Sequence, residues 1–177
     1  MKWQEQTGSS VDVGFIMSHL GHQTLTRVYS STPKEWVFQL LDYIKKNPQG
    51  AYPDDKDFGW KAFVVSFRLN HWSTYFYQFV NSPNFTPAVL MQFLKSYDEQ
   101  ANYVINNYSD VGNHLLYEAL HLMYAGSYFP ELKEAQTWRK SGIAVLNKEI
   151  TKQALPDGMQ YELSTSYHIG TIGTFLN

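Results

Sequence analysis

The sequence contains no cysteine. Disulfide bridges and zinc sites with thiolate ligands are therefore excluded, and so is a cysteine nucleophile. The absence is compatible with an oxidising compartment but does not indicate one. Any chemistry that the chain performs must come from oxygen and nitrogen groups.

Long apolar runs and a charge excess are also missing. No run approaches the roughly 20 residues that cross a bilayer, and the first ten residues, MKWQEQTGSS, lack the apolar centre of a signal peptide. The net charge is -2, which gives no general attraction for nucleic acid or for an anionic membrane. We therefore expect the chain as given to be soluble, with neither of these as a partner.

Two familiar catalytic motifs are absent as well, namely a Gly-x-Ser-x-Gly elbow and a glycine-rich phosphate loop. What the sequence does contain is 44% hydrophobic and 17% charged residues, a balance typical of folded globular proteins. The length predicts one domain spanning residues 1–177. Aromatic residues make up 16%, and they could line a sugar-binding cleft or simply fill a core.

Helical spacing of apolar residues recurs along most of the chain. Thr32 followed by Pro33, and Thr86 followed by Pro87, each predict a capped helix start. Gly126 and Pro130 are interpreted as ending the helix that begins at Asn113. The predicted helices cover residues 11–30, 33–47, 60–80, 87–104, 113–126 and 138–155, with a further one from Thr165. Helices of this length joined by short turns predict an all-α fold of antiparallel helical hairpins.

One predicted helix carries polar residues at shared-face spacing, namely Asn113, His114, Glu118 and His121. Glu118 and His121 have the Glu-x-x-His spacing of half a di-iron site, but no second Glu-x-x-His occurs in the chain. Metal binding is therefore the weaker interpretation. Hydrogen bonding inside a helical core, or capping of the helix, is the stronger one.

The segment DGMQYELSTSYH, residues 157–168, interrupts the helical pattern near the end of the chain. Asp-Gly predicts a tight turn, and the alternation in MQYELS is typical of a short extended piece. Ser164 can cap a new helix, so that Tyr167 and His168 project from its first turn. Those two side chains could border a cleft or merely pack the helix start, and the segment alone does not decide between the two.

Several motifs occur in a fixed order, namely VNSPNFTPAVLMQFL, GNHLLYEA, AGSYFPELKEAQTWRKSGIAVLNKEI and QALPDGMQYELSTSYH. Together they resemble the heparinase II/III family of polysaccharide lyases, and most of all its heparinase III branch, over residues 36–177. The resemblance implies an N-terminal incomplete (α/α) toroid of helical hairpins, followed by antiparallel β-sandwich domains. This chain would be part of the toroid only, from a periplasmic or secreted enzyme acting on heparan sulfate or a related acidic polysaccharide.

The resemblance also implies β-elimination at a uronic acid. Asn113 matches the family's asparagine that neutralises the substrate carboxylate, so that the C5 proton becomes removable. Tyr167 matches the tyrosine that protonates the glycosidic oxygen leaving C4, and it can also serve as base when both groups lie on one face. His114 and His168 would assist them. Glu118 and Glu162 complete the polar set, more as residues that orient neighbours than as direct ligands.

Cations are expected to recognise the sulfate or carboxylate groups of such a substrate. Lys61 and Arg68 are the predicted binding residues, with Arg27 as a further candidate and Arg139 interpreted as part of a solvated face or a structural ion pair. The resemblance implies no cofactor. It does imply a further catalytic histidine from outside this segment, so we expect little or no turnover from this chain alone.

Two other functions stay open on the residues themselves. An α/α-toroid glycoside hydrolase would place two carboxylates across a cleft. A non-catalytic helical module for carbohydrate binding or interaction would not bring the asparagine, tyrosine and histidine side chains together at one site.

Overall fold

The computed structural model describes residues 32–57 and 59–176, and these residues form a bundle of α-helices. The helices are α1 (Pro33–Lys46), α2 (Ala62–Phe79), α3 (Pro87–Asn106), α4 (Gly112–Tyr128), α5 (Ala135–Gln153) and α6 (Thr165–Leu176), with a 3-10 turn at Asp55–Asp57. The part of the chain so described contains no β-strand, which confirms the all-α prediction. The helix predicted at 11–30, with Arg27, lies outside the described residues.

Two helix starts form as their local sequences predict. Thr32 Oγ1 accepts a hydrogen bond from the Glu35 backbone N–H at 3.3 Å, with Pro33 in the first turn of α1. Thr86 Oγ1 accepts from the Val89 backbone N–H at 3.4 Å at the start of α3. Each bond satisfies a backbone donor that has no partner inside the helix, so the start of each helix is set by a few adjacent residues.

The core is built from aromatic rings that pack against one another. The ring centroid of Trp36 in α1 lies 5.7 Å from that of Phe85 and 6.3 Å from that of Phe93 in α3. Phe93 in turn lies 5.5 Å from Tyr97. Trp36, Phe93 and Tyr97 are all essentially inaccessible to solvent, and burying such side chains contributes roughly 1.5–3 kcal/mol each. Core packing, rather than a sugar-binding cleft, therefore accounts for these rings.

Helices α4 and α5 pack closely because glycines lie between them. A Cβ atom on Gly126 would collide with the carbonyl oxygen of Ala135, and one on Gly142 would collide with that of Ala119. The prediction that Gly126 ends its helix is wrong, since α4 continues to Tyr128. Gly126 is instead a contact position, where the missing side chain admits the start of α5.

The segment between α5 and α6 is a compact turn rather than an extended piece. Gly158 has a φ of +85°, as the Asp-Gly turn requires. The expected alternating stretch is reduced to one isolated antiparallel bridge between Ala154 and Gln160. It ends there because Gln160 Oε1 accepts a hydrogen bond from the Glu162 backbone N–H at 2.9 Å and curls the chain. Helix α6 then begins at Thr165, as predicted.

None of the helices within residues 32–57 and 59–176 combines the length and the apolar character needed to cross a membrane.

Candidate functional site

The first turn of α4 and the turn before α6 approach each other at Gly112. Its φ of +79° lies in the left-handed region that favours glycine. A Cβ atom at this position would lie 3.1 Å from Glu162 Oε1 and 3.5 Å from the Tyr161 hydroxyl. Gly112 therefore allows both the chain reversal into α4 and the close approach of the 161–162 turn. Asn113 follows directly and lies beside that turn.

The side-chain amide of Asn113 is bound at both ends. Its Nδ2 donates a hydrogen bond to Glu162 Oε2 at 3.3 Å, and its Oδ1 accepts one from the Thr171 hydroxyl at 3.1 Å. An ionised carboxylate can only accept, which assigns the nitrogen to the Glu162 side. We call Asn113, Glu162 and Thr171 the Asn113 cluster; it joins α4, the turn and α6.

Tyr167 lies on the same face of α6 as Thr171, because residues four apart stack on one side of a helix. The axial rise between them is about 6 Å. The Tyr167 side chain is 52% exposed. The helix that contacts Asn113 thus also carries the Tyr167 phenol, open to solvent, one turn from that contact.

His114 is fixed by ring stacking. Its centroid lies 4.1 Å from that of Phe63 in α2, with 28° between the ring planes. Burial against its neighbours lowers the pKa of His114, the positive charge of Lys61 lowers it further, and Glu162 opposes both effects. These effects favour the neutral form of the imidazole, which interacts electrostatically with both Lys61 and the carboxylate that binds Asn113.

His168 supports the turn that carries Glu162. Its Nδ1 accepts a hydrogen bond from the Gln160 backbone N–H at 3.3 Å, which requires the ring proton to be on Nε2 in the neutral form. Gln160 continues the network through Nε2, which donates to Gln153 Oε1 at 3.4 Å. The described contacts of His168 are thus structural, and its ring lies one residue after Tyr167.

Glu118 and His121 are buried in α4. Glu118 is inaccessible to solvent, and its two carboxylate oxygens accept hydrogen bonds from the backbone N–H and the hydroxyl of Ser109, both at 2.7 Å. Burial raises the pKa of Glu118, and the Ser109 bonds act in the opposite direction. His121 Nδ1 lies 3.2 Å from the Ser66 hydroxyl. Both side chains thus make the internal hydrogen bonds that the structural interpretation expects, and Glu118 fixes the loop leading into α4.

The two predicted cations differ in position. Arg68 is 2% exposed; its Nε donates to Gln100 Oε1 at 2.5 Å and its Nη1 to the Gly59 carbonyl at 2.9 Å. Its burial argues against the predicted role as a sulfate or carboxylate ligand, since a polymer outside the fold cannot reach it. Lys61 lies exposed immediately before α2 and acts electrostatically on His114 and Glu118.

Sequence reasoning missed Thr171 and Gln160. Thr171 stands four positions after Tyr167, a spacing that places it on the same helix face. That spacing was the available signal, but its partner Asn113 is 58 residues away in the chain. Within residues 32–57 and 59–176, no group of three or more His, Asp and Glu side chains could hold a metal ion.

Comparison with known proteins identifies the family. The protein-family model of the heparinase II/III N-terminus matches residues 20–177. The chain belongs to the heparinase II/III family. A heparin-sulfate lyase of Pedobacter heparinus is 46% identical over 159 residues, covering 87% of this chain and 24% of the relative. One of Bacteroides stercoris is 42% identical over 157 residues, covering 80% of this chain and 24% of the relative.

A solved structure of a heparan sulfate lyase has a similar fold. The crystal structure of the heparan sulfate lyase from Pedobacter heparinus superposes with a TM-score of 0.78 at 44% identity, covering 92% of this chain and 26% of that structure. The chain therefore spans about a quarter of the length of these relatives, and its helices take the arrangement found in that part of the lyase.

Proposed function

We propose that this chain provides part of the active site of a polysaccharide lyase that cleaves heparan sulfate, or a related uronate polymer, by β-elimination. Family membership and the names of the relatives support this reaction class. The observation that carries the proposal is the hydrogen bond between Asn113 and Thr171. It brings the helix bearing the exposed Tyr167 to the asparagine whose family counterpart meets the substrate carboxylate.

In the proposed mechanism, Asn113 stabilises charge as it develops. Removing the C5 proton pushes electron density into the uronate carboxylate, and a fixed amide N–H can hydrogen-bond the extra charge without carrying a charge of its own. Asn113 lies in the first turn of α4, where unpaired backbone N–H groups also favour an anion. Val111 at the N-cap has no side-chain acceptor to compete for those groups.

Tyr167 supplies the proton transfer. A base takes the C5 proton, and the histidine that the family supplies from outside this chain is the group proposed for that role. As the C4–O bond breaks, the phenol O–H donates its proton to the departing glycosidic oxygen, and the electron pair of the broken C5–H bond forms the C4–C5 double bond. When the C5 proton and the leaving group lie on one face, Tyr167 in its phenolate form can take the C5 proton and then deliver it to the departing oxygen. Exposure of Tyr167 leaves its hydroxyl accessible to a polymer.

The remaining site residues divide into ligands and supports. Lys61 is exposed, and its positive charge acts on His114, so we assign it to binding a substrate carboxylate or sulfate. His114, held by Phe63, borders the substrate position. His168, Glu118 and Glu162 hold the backbone and side chains around Asn113.

The complete enzyme is proposed to contain more than this chain. The relatives are about four times longer than the part matched here, and the family pattern adds the rest of an incomplete (α/α) toroid, β-sandwich domains and a further histidine. We also propose a periplasmic or secreted location. Below, "the full-length form" means this chain together with the regions that the relatives carry outside the matched part.

Turnover of heparan sulfate by the full-length form tests the assignment, followed through the ultraviolet absorbance of the unsaturated uronate product. We expect Asn113→Ala and Tyr167→Phe each to lower kcat by about 100-fold or more, the scale of losing an oxyanion donor or a general acid. Tyr128→Phe is the matched control, since this exposed tyrosine lies roughly 22 Å along α4 from Asn113. Near-normal turnover in either variant would refute the assigned role.

A further inference from the structure

We propose that Thr171 and Glu162 are positioning residues that hold the Asn113 amide in one orientation, with a single N–H directed at the substrate. The inference rests on the proposed function, because it concerns the asparagine assigned there to the substrate carboxylate. The Asn113 cluster contains a donor to Oδ1 and an acceptor from Nδ2. Rotation of the amide about its last torsion would break both bonds.

The hydrogen count of the amide defines what is left for a ligand. An asparagine Nδ2 carries two hydrogens, and one of them goes to the Glu162 carboxylate. The other has no partner within residues 32–57 and 59–176. The bond from Thr171 uses one of the two lone pairs of Oδ1 and holds the oxygen toward α6, so the Nδ2 end carries the N–H that is left for a ligand. A hydrogen-bond acceptor such as a carboxylate oxygen of the substrate fits this remaining N–H.

The hydroxyl of Thr171 has an unusual hydrogen-bond partner for a threonine in a helix. Thr174, on the same helix, donates its hydroxyl hydrogen to the Gly170 carbonyl within α6 at 3.0 Å. Such a bond to the preceding turn is ordinary for a helical threonine. Thr171, 7% exposed, instead points its hydroxyl across to Asn113. The two threonines therefore differ in the single contact that matters for the proposal.

Glu162 is itself held in place from three sides. Its backbone N–H donates to Gln160 Oε1, its Oε2 accepts from Asn113, and its Oε1 occupies the space left by the absent Cβ of Gly112. A carboxylate fixed in this way limits rotation of the Asn113 amide. The negative charge also strengthens the N–H···O bond that sets the rotamer.

Thr171→Val in the full-length form tests the inference, because valine keeps the shape of threonine and removes only the hydroxyl. We expect kcat to fall by about 10-fold, with KM changed by less than about 2-fold, since misalignment of a group acting in the transition state lowers kcat selectively. Thr171→Ser should restore most of the turnover. Thr174→Val, the matched control, should behave like the parent, because it loses a bond within α6 only.

A double variant separates positioning from a general structural effect. If Thr171 acts through Asn113, adding Thr171→Val to Asn113→Ala should cost no further activity, whereas independent effects would multiply. Circular dichroism melting of each variant reports the folded fraction. A Thr171→Val enzyme as active as Thr174→Val would overturn the inference, and so would a full additional loss in the double variant.

The outcomes also distinguish this inference from the function on which it rests. Near-parental turnover by Asn113→Ala would refute the proposed function itself, whatever Thr171→Val does. An inactive Asn113→Ala enzyme combined with a fully active Thr171→Val enzyme would leave the function standing and refute the positioning role.

Discussion

At the scale of single residues, His114 stands between two charges of opposite sign. Lys61 lowers its pKa and Glu162 raises it, while burial, the largest effect, lowers it below the ordinary value of 6.5. The unfolded chain therefore binds this proton more readily than the folded chain does. The contribution of His114 to stability is present above pH 6.5 and is lost as the pH falls through the folded-state pKa.

Titration of the His114 imidazole by NMR tests this electrostatic arrangement. We expect a midpoint below 6.5 in the parent chain, a higher midpoint in Lys61→Ala and a lower one in Glu162→Gln, because each substitution removes one of the two opposing charges. Lys140→Ala, which removes an exposed lysine from α5, serves as the control for a general change in net charge. Shifts in the same direction in Lys61→Ala and Glu162→Gln would contradict the arrangement.

Residue roles were predicted from the sequence only where they are local or carried by the family motifs. Asn113 and Tyr167 could be named by resemblance, and the structure joins their helices through Thr171. The sequence suggests Arg68 as a substrate ligand because cations form charge-assisted hydrogen bonds with sulfate and carboxylate. Its partner Gln100 lies 32 positions away, and its burial depends on how α2 and α3 pack together, which no local pattern encodes.

At the scale of helices, the contact between α4 and α5 requires residues without side chains. We expect Gly142→Ala to destabilise the fold by roughly 1–3 kcal/mol, the usual cost of overpacking, because the new methyl group would collide with the Ala119 carbonyl and lie 2.9 Å from Met123. Thermal or urea unfolding measures the change. The cost arises in the folded state, so it should appear despite the higher helix propensity of alanine.

Gly173→Ala is the matched control for that substitution. Gly173 is also helical, in α6, but a Cβ atom there would lie within 4 Å of no atom of another helix within residues 32–57 and 59–176. We expect this variant to be neutral, or more stable by up to about 1 kcal/mol from helix propensity. A Gly142→Ala protein as stable as Gly173→Ala would mean that α4 and α5 are not in the close contact described.

The two capped helix starts could be predicted for a physical reason. The Thr32 and Thr86 caps each involve a donor three residues along the chain, so a short sequence specifies them. Gly126 was misread because its small size serves a contact with Ala135 and Arg139 in another helix. The extended piece predicted at MQYELS is largely replaced by a turn. That turn depends on a hydrogen bond to the side chain of Gln160, which an alternating pattern does not reveal.

At the scale of the whole molecule, this chain contains some parts of the proposed lyase and not others. The all-α arrangement and the Asn113 cluster are contained within residues 32–57 and 59–176. The further histidine and the β-sandwich of the family would come from outside the matched quarter of the relatives. The proposed function accordingly places one surface of the active site, with Asn113 and Tyr167, in this chain.

The bond-breaking step is the central claim, and the isotope content of the product tests it most directly. Elimination breaks the C4–O bond without adding water, whereas a hydrolase transfers a water oxygen to the sugar. Digestion of heparan sulfate by the full-length form in oxygen-18 water should therefore give an unsaturated product without enzymatically incorporated label. The Asn113→Ala variant should form almost no unsaturated product. A saturated product carrying oxygen-18 at the cleaved bond would contradict the account.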